Sequence, residues 1–260
     1  MTLSLDDISQ AAGDLLHKGD PASALPLYLE AIRIADASGR VSDVSDLLGD
    51  LAVAYRRLGD IDAAIATNRR AIDAARACGC DVNVARWSGN LGGLLCMHDD
   101  VDGAEGCFRE AMEAAARSGS PEQMSIAGAH FASIMGERGR FSEAVAIIEE
   151  ARTHAAASPA MVPIIRNQEA QLYLNWAYSL RTANRLREAR QVITRAMTLL
   201  ADAPPSKEKM LLLILMGDVE ETDGNVVAAA VAIERAAAVC EAMGDEGEAM
   251  KLHDVAVRMR

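Results

Sequence analysis

Small and large apolar positions alternate along this 260-residue chain in one pattern that recurs six times. Its clearest element is an alanine, a larger residue four positions on, and a second alanine three further. It reads Ala24/Tyr28/Ala31, Ala64/Asn68/Ala71, Ala104/Phe108/Ala111, Ala144/Ile148/Ala151, Ala189/Ile193/Ala196 and Ala229/Ile233/Ala236. Residues four and three apart share one helix face, so each triplet marks a helix that packs closely through its small side chains. A third small slot, on a preceding helix, holds Ala12, Ala52, Gly92, Ala132, Ala177 and Gly217. Large residues at Leu51/Tyr55, Leu91/Leu95, Phe131/Met135 and Trp176/Leu180 flank it and are expected to fill the core. The copies step by 40, 40, 40, 45 and 40 residues, and such fixed-period self-similarity predicts a repeat array.

Turn chemistry divides each copy in two. Gly19-Asp20, Gly59-Asp60, Asp99-Asp100, Gly139-Arg140, Asn184-Arg185 and Gly224-Asn225 combine residues that tolerate a left-handed conformation with frequent helix caps. A second set of breakers follows at Gly39, Gly79, Gly119, Pro159, Pro204 and Gly244. Two breakers per period predict paired helices, A and B, of roughly 14 to 16 residues each. The copies fall at about 5–40, 45–80, 85–120, 125–160, 170–205 and 210–244 within an array spanning 1–244. The 45-residue step places five extra residues near Ala155 to Arg166, with Pro159 and Pro163, where a longer connection would bend or offset the array. Segment 245–260 reads as a terminal capping helix, its apolar residues Met250, Val255, Val257 and Met259 set among charges.

Composition narrows the function. Half of the residues are apolar and only 3% aromatic, which suits closely packed helices, and no stretch alternates long enough for a strand. A net charge of -12 argues against nucleic acid and against an anionic membrane as partners. The start carries no basic-then-apolar leader, no apolar run reaches the length of a membrane span, and five cysteines fit reduced thiols in a cytoplasm.

No phosphate loop, nucleophile elbow or zinc-protease motif is present, so an enzyme is not expected and no cofactor or metal is implied. His98-Asp99-Asp100-x-Asp102 reads as a polar turn, not a metal site, and Cys78-Gly-Cys80 as small apolar residues flanking a turn glycine.

Leu48-x2-Leu51-Ala52-x2-Tyr55 and Ser88-x2-Leu91-Gly92-x2-Leu95, followed by the alanine triplets, resemble the tetratricopeptide repeat over residues 5 to 241. That family's usual unit is about 34 residues. The longer unit here resembles the repeats of kinesin light chain and of bacterial peptide-sensing regulators. The resemblance implies an all-α fold: a right-handed superhelical solenoid of about six helical hairpins plus the capping helix. It also implies that helix A faces a concave groove. Mapped residue by residue, one groove position holds Gln10, Asp50, Asn90, His130, Asn175 and Leu215, and the next holds Gly13, Val53, Gly93, Ser133, Tyr178 and Asp218.

Asn90 and Asn175 resemble groove asparagines that hold a peptide backbone, since an amide offers both donor and acceptor. Gly49, Gly89, Gly93, Ala129 and Ser133 would leave the middle of the groove open to a ligand backbone, and Arg56, Arg86 and Arg181 would meet carboxylates. With His130 and Tyr178 these form the candidate partner site, and they imply a cytoplasmic adaptor, scaffold or regulatory sensor that binds a protein or peptide segment. Self-assembly into a structural homo-oligomer, and an enzyme or small-molecule sensor using His130 and Tyr178, are the alternatives.

Overall fold

The computed structural model describes residues 4–259, and every regular element among them is a helix. In chain order these are α1 (Leu5–His17), α2 (Pro21–Ala37), α3 (Val41–Leu58), α4 (Ile61–Ala77), α5 (Asp81–Met97), α6 (Val101–Ser118) and α7 (Pro121–Glu137). They continue as α8 (Phe141–Ala155), α9 (Met161–Thr182), α10 (Leu186–Leu199), α11 (Lys207–Thr222), α12 (Val226–Met243) and α13 (Glu246–Arg258). The beginning of the chain that carries no leader in the sequence reading falls partly on residues 1–3, outside the described residues, as does residue 260.

Local chemistry sets the helix ends. Gly19, Gly59, Asp99, Gly139, Asn184 and Gly224 all take positive φ, so the left-handed residue stands two positions before the first residue of each helix B. Asp20, Asp60 and Asp100 then accept a hydrogen bond from the backbone N–H three residues on, capping α2, α4 and α6. Because these devices close most turns in two or three residues, helices span 13 to 22 residues and mostly exceed the length that breaker spacing suggests.

The 45-residue step is resolved differently from the expectation. Helix α9 begins at Met161, ten residues after Ala151, just as α7 begins at Pro121, ten residues after Ala111. From helix start to small slot, however, the distance is 16 residues in α9 (161 to 177) against 11 in α7 (121 to 132). The five extra residues therefore lengthen α9 and do not displace its start. Pro163 lies in the first turn, where its missing N–H has no intrahelical partner to lose.

The chain divides into two compact units, Met1–Ile134 and Met135–Arg260. In the first, α1, α2 and α3 share a core containing Ile8, Ala24, Tyr28, Ala31 and Leu51. In the second, α11, α12 and α13 close around Leu213, Ile233, Ala236, Cys240 and Leu252. All twelve triplet alanines are buried, none more than 2% exposed. The helix A slot is small because a large helix B side chain lies on it. A Cβ at Gly92 would stand 2.8 Å from the Phe108 ring, and one at Gly217 would stand 2.7 Å from Ile233.

Two core assignments need correction. Leu51, Leu91, Leu95, Met135 and Leu180 are buried as expected, but Tyr55, Phe131 and Trp176 are only half-buried. Trp176 instead stacks on Phe141, with ring centroids 6.0 Å apart and planes within 7°. On α13 the packed face is Ala249, Leu252 and Ala256 with Met259, while Met250, Val255 and Val257 face solvent. Ala249, Leu252 and Ala256, three and four apart, share the face that meets α12, and Met250, Val255 and Val257 fall off it.

Candidate functional site

In the first unit the site is built on the helix A members α3, α5 and α7, with one contribution from α4. A cavity of about 240 Å³ is lined by Val53 and Arg56 of α3, Asn68 of α4, Gly89, Asn90, Gly93 and Met97 of α5, and His130 of α7, among others. A neighbouring cavity of about 220 Å³ shares Gly89, Asn90 and His130 with it and adds Arg86, Glu122 and Gln123. Four candidates named from sequence, Arg56, Arg86, Asn90 and His130, thus meet around two adjoining concavities. Gly89 and Gly93 keep this surface open: a Cβ at Gly93 would touch nothing within 4 Å, and one at Gly89 would only approach His130 Nδ1 and Ala111 at 3.9 and 4.0 Å.

The charges here differ in how far they are already satisfied. The Arg86 guanidinium lies 5.3 Å above the Trp87 ring and 3.9 Å from Asp46, which also accepts from Asn83 Nδ2 at 3.0 Å. Burial pushes the Asp46 and Asp50 carboxyls above the usual range. For Asp50 the nearby Asp46 charge adds to that shift. Arg56 is exposed and makes no ion pair among the described residues.

His130 is half-buried beside Phe108, ring centroids 5.7 Å apart. Burial pushes its imidazole below the ordinary value of 6.5, favouring the neutral form, and its Nδ1 is enclosed without a hydrogen-bond partner.

Asn68 was missed as a site residue by the sequence reading. It occupies the large slot of the second alanine triplet, where the other copies carry Tyr, Phe or Ile. It is wholly buried, its Nδ2 donates to the Trp87 carbonyl at 2.5 Å, and its Oδ1 has no partner. The signal was present: one polar residue in an otherwise apolar column.

In the second unit, Asn175 and Tyr178 of α9 line a cavity of about 570 Å³ with Leu211, Ile214, Leu215 and Asp218 of α11. Tyr178 is 61% exposed, and Asn175 Oδ1 accepts from Gln171 Nε2 at 2.9 Å. Arg181 forms an ion pair with Asp218: one guanidinium nitrogen donates to Oδ1 at 2.7 Å, and Nε stands 2.6 Å from Oδ2. Its charge is therefore met within the protein, and it lies beside the cavity without lining it. The seven candidates fall into a group of four in one unit and a group of three in the other.

The remaining motifs have local explanations. Asp100 caps α6, Asp99 makes the left-handed turn, and His98 Nε2 reaches Asp62 at 3.2 Å. Cys78 Sγ donates to the Ala75 carbonyl at 3.3 Å, and no disulfide joins cysteines among the described residues. No helix among the described residues is long and apolar enough to cross a membrane.

Residues 7–77, covering most of α1 and all of α2 to α4, match the family model of the tetratricopeptide repeat. No curated protein sequence matches the chain. Among solved structures it is similar to BtubC (BKLC) from P. vanneervenii, with 17% identity, TM-score 0.61, and coverage of 94% of this chain and 93% of that one. It is similar to the apo form of RapI at 10% identity and TM-score 0.65, over 98% of this chain and 74% of RapI. It also resembles the nearly identical TPR-like repeats of a Podosopora anserina putative kinesin light chain, at 14% identity and TM-score 0.55, over 78% and 97%. Residues 7–77 are tetratricopeptide repeats, and the chain as a whole is an all-α helical-repeat solenoid with the fold of tetratricopeptide-repeat proteins.

Proposed function

We propose that this chain binds a peptide or protein segment over its helix A surfaces and serves as an adaptor, scaffold or regulatory sensor in the cytoplasm. One observation carries the reading: two adjoining concavities on α3, α5 and α7 share Gly89, Asn90 and His130. Open glycines let a backbone approach, and the Asn90 amide can donate to and accept from a peptide unit of any sequence. Unpaired Arg56 adds a cation for a partner carboxylate. In the second unit, Asn175 and Tyr178 offer an amide and an exposed aromatic ring beside an apolar floor, the combination that anchors side chains at interfaces.

The test is the double variant Asn90→Ala with Asn175→Ala. Both side chains are exposed and neither is part of the core, so the fold should persist while partner recovery in a pull-down falls. Undiminished recovery sinks the reading.

A second reading, self-association, draws on Val227, Met250 and Val257, which are 76%, 67% and 68% exposed on α12 and α13. Light scattering across concentrations separates it from partner capture, because a concentration-independent monomer is incompatible with self-assembly.

A further inference from the structure

Asn68 is the anomaly of the first unit. Its column supplies the large apolar side chain that fills each helical pair, yet here a fully buried carboxamide takes that place and lines the same cavity as Arg56. The orientation of the amide is set by its neighbour. Nδ2 faces the Trp87 carbonyl, and a flipped amide would oppose two acceptors. The unpartnered Oδ1 is thus an acceptor and needs a donor. A buried acceptor left bare is costly, and a polar residue kept at an apolar position points to a ligand that completes it.

The lining restricts that ligand. Arg56 only donates, Asn68 Oδ1 only accepts, and half-buried His130 presents an enclosed, unpartnered Nδ1. A carboxylate would satisfy Arg56 but bring no donor to Asn68. An ammonium would serve Asn68 but be repelled by Arg56. An aliphatic group would serve neither. A hydroxyl has one oxygen with which to join groups carried on two helices. A primary carboxamide has its NH2 and its C=O on separate atoms and meets both demands.

We infer that the cavity between α3, α4, α5 and α7 is a specificity pocket for a glutamine or asparagine side chain of the bound peptide, with its NH2 on Asn68 Oδ1 and its carbonyl toward Arg56. This rests on the peptide-binding reading above and names the side chain that the first unit selects.

The experiment is selection of a random-peptide phage library on the full chain and on Asn68→Leu, with circular dichroism confirming the variant's helicity. Wild type should enrich peptides sharing Gln or Asn at one position. In a synthetic copy of a selected peptide, replacing that residue by Glu or Met should weaken binding to wild type at least tenfold, a comparison that does not depend on the variant folding. Asn68→Leu should lose the carboxamide preference in favour of apolar residues. Peptides selected without a carboxamide preference, or with one that survives Asn68→Leu, overturn the pocket while leaving peptide binding intact. Recovery of no peptide overturns both readings.

Discussion

Asn68 and Trp87 are joined across α4 and α5 by one buried hydrogen bond, Asn68 Nδ2 to the Trp87 carbonyl, which leaves the other half of the amide unpaired. The bond secures one polar atom of Asn68 and strands the other, so the residue is a poor choice for stability alone. Asn68→Leu should match or exceed wild-type stability, by about 1 kcal/mol, because an unsatisfied buried acceptor is replaced by apolar volume. Urea denaturation checks this. A loss of more than about 2 kcal/mol would mean that the bond to Trp87 outweighs the stranded oxygen.

Trp87 also explains a glycine. Gly49 of α3 does not open the groove as expected from the sequence, because a Cβ there would collide with the Trp87 indole ring. Alanine normally improves a helix by about 1 kcal/mol over glycine, but overpacking a core costs about 1–3 kcal/mol. Gly49→Ala should therefore destabilise wild type and become stabilising once Trp87 is shortened to Leu. A double-mutant cycle measures the coupling, and independent, additive effects would refute the contact.

Gly93 behaves oppositely. Nothing lies within 4 Å of a Cβ there, although the residue lines the first cavity. Gly93→Ala should raise stability by about 0.5–1 kcal/mol while weakening peptide capture, since the methyl group occupies open binding surface. Thermal melts and pull-downs read the two effects separately. Unimpaired capture would remove Gly93 from the binding surface.

Glu169 of α9 is 1% exposed and pairs with Arg152 at 3.1 Å. Burial pushes its carboxyl above the usual 4.5, against the pull of Arg152. A carboxyl whose pKa is raised by folding costs stability as pH climbs from its unfolded toward its folded value. Relative to wild type, Glu169→Gln should therefore gain stability between about pH 4 and pH 7. Denaturation midpoints at the two pH values test the sign, and a relative loss at neutral pH would show that the Arg152 pair dominates.

His130 gives a direct readout of the first cavity. With its imidazole depressed by burial, its NMR titration should fall below 6.5 in the free protein. A midpoint at or above that value would place the ring in water.

Sequence alone determined the period, the paired helices, the small-residue slots and the turn positions, even where Asp99 and Asn184 replace glycine. These features follow from local rules: helical spacing, capping, and the few residues that accept positive φ. It also singled out Asn90, His130, Asn175 and Tyr178, which line cavities in the structure, because a repeat carries its register from copy to copy. Only the tertiary structure decided how those residues group, that Asp218 engages Arg181, and that the extra five residues extend α9. Only it showed that Asn68 lines a cavity and keeps a buried, unpartnered oxygen. Each of these depends on which side chain of another helix lies opposite, and periodicity along one helix does not encode its neighbour's partner.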